Sequence, residues 1–172
     1  MQLKVRIYGD KCLRQKCSPV REVGSGERML IAAMLETMHA QKGIGLAAPQ
    51  VGVNKRIFVA DVGDGPIAFV NPKIVKRMGK AVMEEGCLSI PGVNVEVERS
   101  EQVVVEYADE NGQKMQGVFN GLFARVVQHE NDHLDGRMIV DYASETALKN
   151  LQPKLDELKS KQKGKAGDAA NR

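Results

Sequence analysis

Gln128-His129-Glu130-Asn131-Asp132-His133-Leu134-Asp135-Gly136 is the stretch on which the reading of this chain turns. Residues four apart on an α-helix lie one turn apart on the same face. His129 and His133 can therefore grip a single metal ion, with Glu130 beside them to move protons. The helix is expected because Leu122, Phe123, Val126, Val127, Glu130 and Leu134 recur at close to 3.6-residue spacing. Gly136 then supplies a residue able to take the left-handed conformation in which many helices end. Both histidines would project from a buried helix, and the pattern is one of metal catalysis.

A catalytic metal needs a third protein ligand. The only other histidine, His39, is not well placed; it falls near the end of a different predicted helix, where a solvated or dipole-favoured ring is expected. That raises Cys87, in Glu84-Glu85-Gly86-Cys87-Leu88-Ser89, above the usual reading of a lone cysteine as a small buried hydrophobe. Cys12 and Cys17 are a single pair without nearby histidines, a poor metal knuckle, and read as inert or mildly exposed thiols. The small-residue run Gly43-Ile44-Gly45-Leu46-Ala47-Ala48-Pro49-Gln50 lacks the Gly-Lys-Ser/Thr ending of a phosphate loop. It is either a tight helix-to-strand connection or a place where glycine lets another backbone come close.

At 172 residues and 42% hydrophobic content the chain can bury one core. A single domain is expected over residues 1–160, followed by a basic, disordered tail over 161–172. No run of about 18 apolar residues and no apolar leader is present, so the expectation is a soluble, cytoplasmic protein with no membrane contact. Of the 25 basic and 22 acidic side chains, residues 144–172 hold seven basic (Lys149, Lys154, Lys159, Lys161, Lys163, Lys165, Arg172) and four acidic ones, leaving 18 of each sign elsewhere. The whole excess of +3 lies at the C-terminus, which argues against a broad nucleic-acid-binding face on the core and against direct DNA binding.

Residues 1–23 alternate at Leu3, Val5 and Ile7 and then run irregularly through Pro19, suggesting a short strand and a loop. Ser25 or Gly26 can cap a helix over 27–41 whose apolar stripe is Met29, Leu30, Ala33, Met34, Thr37 and Met38. Residues 55–62 and 67–75 read as a hairpin across Gly63-Asp64-Gly65-Pro66, and 93–97, 102–107 and 114–119 as further strands. Ser144 caps a last helix with Leu148, Leu151, Leu155 and Leu158 on its apolar edge and Pro153 expected to kink or restart it. The fold class is α+β, with largely antiparallel β-sheets packed around a central metal-binding helix and with an N-terminal helix and a C-terminal helix.

Three stretches taken together, Gly43 to Gln50, Glu85-Gly86-Cys87-Leu88-Ser89 and Gln128 to Leu134, resemble the motifs of the peptide deformylase family, in the same order. The resemblance spans roughly residues 1–143. It implies Cys87, His129 and His133 as ligands of a ferrous iron, with zinc, nickel or cobalt as substitutes, in a bacterial-type cytoplasmic enzyme that removes the formyl group from N-formylmethionyl nascent peptides. Glu130 would move the proton, while the Gln50 amide and the Leu88 N–H would stabilise the oxyanion. Ile44, Gly45 and Gly86 would offer backbone groups to an extended peptide. Ile44, Leu122, Arg125 and Val126 would border the methionine pocket, with the Arg125 charge snorkelling to water. Asp132 would orient a histidine, and Glu85 would pair with a base such as Arg99.

Two rivals share parts of this pattern. A His-Glu-x-x-His metalloprotease takes its third ligand downstream of the helix, and no histidine follows His133. An inactive, ribosome-associated metal-binding module would have no need of Gln50, Cys87 and Glu130 together. The basic tail could nonetheless dock on ribosomal RNA near emerging chains.

Overall fold

A computed structural model describes residues 1–170, with side chains described through residue 164. Its middle strand explains the rest. Ile57-Phe58-Val59-Ala60 (β2) has no polar residue and is buried on both faces, so each face must be covered. Helix α1 (Ser25–Ala40) covers one, packing Ile31, Met34 and Met38 against Ile57, Val59 and Val70. Helix α2 (Gly121–Leu134) covers the other, packing Val126, Val127 and Leu134 against Phe58, Phe69 and Val105. Phe58 and Phe69 stack at 4.5 Å between centroids. Burying each such ring contributes roughly 1.5–3 kcal/mol by transfer alone.

Around β2 lie β1 (Gly45–Ala47), β3 (Ile67–Met78), β6 (Gln102–Ala108) and β7 (Lys114–Asn120), in an antiparallel sheet of order β1-β2-β3-β6-β7. A separate antiparallel pair is formed by β4 (Ala81–Glu85) and β5 (Val95–Arg99). The register of β3 against β6 shifts between Val70 and Lys73, where Pro72 removes a donor and Asn71 takes φ +49°. The freed Asn71 amide accepts from Val20 N–H and donates to Val20 C=O, clipping the N-terminal loop to the sheet. The α+β architecture, the central helix and the antiparallel sheets expected from the sequence are all present.

Several local expectations are corrected. Leu3, Val5 and Ile7 do alternate inward, but the segment forms no ladder; its N–H groups go singly to Thr37 Oγ1, Gln50 C=O and Ser89 C=O. In α1, Met29 is 73% exposed and Ile31 takes its place in the core. Strand β4 has no counterpart in the sequence reading, its residues being exposed apart from Glu85 and the half-buried Ala81. Helix α3 (Glu145–Ala170) begins after Ser144, whose hydroxyl accepts from Ala147 N–H as a cap, and continues through Pro153 without a break. It also continues past Lys159, where fraying is expected from composition; the end of the expected tail, residues 171 and 172, lies outside the described residues. Leu155 and Leu158 seat α3 on Leu13, Ile90, Val95 and Ile139.

Candidate active site

Helix α2 is held in place at its C-terminus and at its middle. At its C-terminus Gly136 (φ +75°) donates to His133 C=O and Arg137 N–H to Asp132 C=O, the paired bonds of a Schellman turn. A Cβ on Gly136 would lie 2.6 Å from Arg14 C=O, so glycine is required there by space as well as by backbone. Two turns after its start, Gln128 reaches the β5–β6 turn, its amide donating to Ser100 C=O and accepting from Ser100 N–H. Nothing in the sequence singled out Gln128 for this role.

The helix brings His129 and His133 together with Cys87, which follows β4. One donor atom from each lies within 4.8 Å of the others. Cys87 Sγ is 3.4 Å from His133 Nε2. His129 Nδ1–H donates to Glu85 Oε1 at 2.8 Å, which fixes the tautomer and leaves Nε2 facing the cluster. His133 is held well below its usual pKa by burial and then by the His129 charge, so it is a neutral imidazole ready to ligate. Burial acts to lower His129 too, yet bonds to Cys87 and Glu85 overcome it and raise the ring well above its usual range. The pocket therefore calls for positive charge between the thiol and the imidazoles. A half-buried thiol and two imidazoles of this spacing suit a divalent cation of intermediate softness, and the donor set fits a resident metal.

Glu130 lies beside this cluster, 4% exposed, with Oε1 4.0 Å from His129 Nε2 and Oε2 bonded to no described group. Burial first, and Glu85 and Asp132 after it, push its carboxyl up to about 7. Gly45 makes room for it: a Cβ at that position would sit 2.5 Å from Glu130 Oε1. The glycine-rich run thus makes room for a side chain at Gly45, where the sequence left open a tight connection or a neighbouring backbone. Gln50 is fixed by Ala47 N–H, which donates to Oε1 at 2.8 Å. Its Nε2 is thereby aimed at Ser89 Oγ at 3.1 Å and, weakly, at Cys87 Sγ at 3.6 Å. The Leu88 N–H donates to no described protein group.

A cleft of 450 Å³ opens over these groups. It is lined by Ile44, Gly45, Gln50, Gly86, Cys87, Leu88, Leu122, Arg125, Val126, His129 and Glu130, which is every candidate site residue except the deeper His133. Gly43 and Glu85 also line it, as do Lys42, Met83 and Glu84, which were not foreseen.

Behind the histidines, Glu85 is the hub. Its two oxygens accept from His129, from two nitrogens of Arg99 and from Arg125. Burial alone would raise it, but the bonds from His129 and Arg99 prevail and hold it at about 2. The Glu85–Arg99 pair is as expected, whereas two other expectations are corrected. Arg125 does not snorkel: its guanidinium is buried, donating to Glu85 and to the carbonyls of Val97 and Ala81. Asp132 orients no histidine; it accepts from Arg99 and from the Tyr142 hydroxyl at 2.6 Å. In both cases the sequence could not show that β4 and β5 bring a buried carboxylate and guanidinium to the back of α2. Cys12 and Cys17 are free thiols raised to about 12 and about 11, by burial first, and are inert as expected.

Comparison with known proteins fits this geometry. The family model described as polypeptide deformylase matches residues 2–149. The chain belongs to that family. It is a hydrolase that removes the N-formyl group from nascent peptides. It is 44% identical to the peptide deformylase of Thermotoga petrophila over 153 residues, covering 88% of this chain and 93% of the relative. The Clostridium botulinum peptide deformylase is 46% identical over 137 residues, 80% of this chain and 93% of its own. Among solved structures, the peptide deformylase of Thermus thermophilus superposes with a TM-score of 0.89 at 41% identity, over 92% of this chain and 98% of that one. A peptide deformylase from Synechococcus elongatus in complex with actinonin gives 0.82 at 44% identity, over 92% and 85%. Among the described residues no helix is long and apolar enough to cross a membrane.

Proposed function

We propose that this deformylase works with ferrous iron held by Cys87, His129 and His133, zinc, nickel or cobalt substituting, and that it acts on N-formylmethionyl chains in the cytoplasm. The observation that carries the reading is the convergence of those three donors beside a buried carboxyl poised near neutrality. Held there, the ion supplies a Lewis acid that makes water nucleophilic at neutral pH. Glu130 takes the proton of the attacking water and returns it to the leaving amine, a task for which a carboxyl near 7 is suited in both directions. The Gln50 Nε2–H and Leu88 N–H donate to the oxygen that becomes negative as the formyl carbon turns tetrahedral. Glu85 keeps His129 turned with Nε2 inward. Ile44, Gly45 and Gly86 line the cleft from two sides and accept an extended peptide as an added strand. Ile44, Leu122, Val126 and the Arg125 stem border the methionine side chain. The lysines along α3, at the end that carries the chain's net charge, hold the enzyme near emerging chains on the ribosome by salt-sensitive attraction.

One assay tests the core of this reading. Formate release from a formyl-Met tripeptide is measured beside cleavage of an unformylated peptide, on protein whose metal has been quantified. Formate with about one metal per chain, fading in air for iron and more slowly for nickel, is expected. Internal peptide-bond cleavage without formate would overturn it.

A further inference from the structure

A second cavity, of 690 Å³, shares no lining residue with the catalytic cleft. Three pieces of chain converge on it. The end of β3 brings Arg77 and the turn after it Lys80, the end of β5 brings Glu98 and Arg99, and α2 with the chain after it brings Asp132 and Arg137. The two acids are already matched: Asp132 by Arg99 and the Tyr142 hydroxyl, and Glu98 by Lys80 at 3.4 Å. Arg77 and Arg137 are not. Among the described residues neither has an ionic partner, and the side-chain bond of Arg77 goes to the neutral Gln128 Oε1 at 3.2 Å.

Two unmatched guanidiniums over a polar floor are not needed to hold the fold, because Gln128 is already bonded twice to Ser100 and the helix end closes through backbone groups. A planar five-donor cation suits a tetrahedral or planar oxyanion that can take two bonds at once. The cavity volume is that of a small-ligand site. Its one aromatic ring, Tyr142, carries the Arg99 guanidinium over one face at 4.8 Å. Charge is what most of this lining offers, through Arg77, Lys80 and Arg137. We propose that it is a binding site for a phosphate group, gripped by Arg77 and Arg137 with Lys80 at its rim. The even charge balance of the first 143 residues conceals it, since the acids that offset these cations lie elsewhere or are already paired. The proposal does not depend on the catalytic roles assigned above.

The phosphate can belong to a free small ligand or to a nucleic-acid backbone, and one experiment separates them. Full-length, metal-loaded protein is titrated with a fluorescent single-stranded RNA oligonucleotide, read by anisotropy, and with inorganic phosphate, read by the Arg Nε–Hε signals in NMR. The double variant Arg77→Gln, Arg137→Gln is expected to lose at least tenfold in affinity for whichever probe binds. On RNA the slope of log affinity against log salt should fall by about 1.4, the share of two single-strand phosphate contacts. Formate release and the unfolding temperature should not change. RNA binding without a phosphate response identifies a backbone as the source; a response of Arg77 and Arg137 to phosphate alone identifies a free ligand. The proposal is overturned if neither probe binds saturably to the wild type, or if the double variant binds as the wild type does. Should the double variant unfold, the Arg77 and Arg137 signals of the wild type decide, and their silence during both titrations refutes the site.

Discussion

In the catalytic cluster two buried polar atoms, Glu130 Oε2 and His133 Nδ1, have no partner among the described residues, whereas a few ångströms behind it the Glu85 carboxylate accepts four bonds. Both sets hang on helix α2, in the same low-dielectric interior. Unpaired polar atoms in such a place ordinarily cost about 1–3 kcal/mol each. Fully bonded ones rigidify what they touch. The contrast shows how a reactive group can be left open without becoming mobile: the open atoms belong to side chains whose positions are set by saturated neighbours. Glu85 belongs to both regions, since the oxygen that pairs with Arg99 also holds His129.

Glu130→Gln tests the open side and should give the largest effect. The amide keeps size and shape but cannot accept a proton. General acid–base help is typically worth about 10²- to 10⁴-fold, and this group would serve twice, so formate release should fall to the upper end of that range or beyond. Metal content should remain near one per chain. The unfolding temperature should hold or rise, because a buried carboxyl whose charged form is disfavoured by burial is replaced by a neutral amide. A variant that keeps a tenth of the activity would mean that the open atoms are not the working ones.

Glu85→Gln attacks the saturated side and should fail in the opposite way. It leaves Arg99 and Arg125 in the interior without their shared counter-ion. Breaking a buried pair from one side costs about 3–5 kcal/mol. Loss of a partner that orients a ligand histidine lowers metal affinity by about 10- to 100-fold. Denaturant unfolding and metal competition measure the two separately. Activity restored by excess metal, at reduced stability, is the expected signature, and unchanged stability would show that the network is not what stiffens the site.

Gly45→Ala probes the contact between the regions. The new methyl carbon would lie 2.5 Å from Glu130 Oε1, so the carboxylate must move. Overpacking of this kind costs about 1–3 kcal/mol, and a displacement near 1 Å at a reacting group can cost about 10²-fold in rate. The turnover number should drop more than KM rises. Equal activity in the alanine variant would mean that Glu130 works from another rotamer.

How much of this was legible in the sequence follows from what each residue's role depends on. The histidines and Glu130 were legible because their geometry is that of one helix, and helical spacing is written in the chain. Gly136 was legible for the same reason, as a helix end. Cys87 could be raised by the need for a third ligand and was then assigned by likeness to a family. The partners of Arg125 were not legible, because they depend on β4, a strand whose exposed residues give no period-two pattern; those of Asp132 lie at the end of β5 and after α2, and spacing along the chain does not show that they meet. Nor was the failure of residues 1–10 to form a strand, since alternation records which side is buried and not whether an edge is available to pair with. The continuation of α3 past Lys159 went unread because composition suggests fraying where the local backbone carries on as helix.

The last and smallest effect concerns pH, and it separates the site from the scaffold. Glu27, in the first turn of α1, accepts from Gly24 N–H at 3.0 Å and from Lys55 Nζ, tying the helix start to the chain just before β2. Lys55 first, and backbone N–H groups after it, bring its carboxyl down from 4.5 to about 2. Because the folded value is depressed, this contribution to stability is fully present above the ordinary carboxylate value and is lost as pH falls from 4.5 towards 2. Lys55→Met removes the main cause of the depression, so the gap in unfolding temperature between wild type and variant should be open at neutral pH and should narrow through that window. Formate release at neutral pH should be equal in the two proteins, since neither Lys55 nor Glu27 borders the cleft. A gap that persists undiminished near pH 2 would assign the loss to packing of the lysine stem and not to its charge. An activity loss at neutral pH would mean that the start of α1 is coupled to the cleft through Gly43 and Gly45, against the view that the saturated bonds around α2 alone hold the open groups in place.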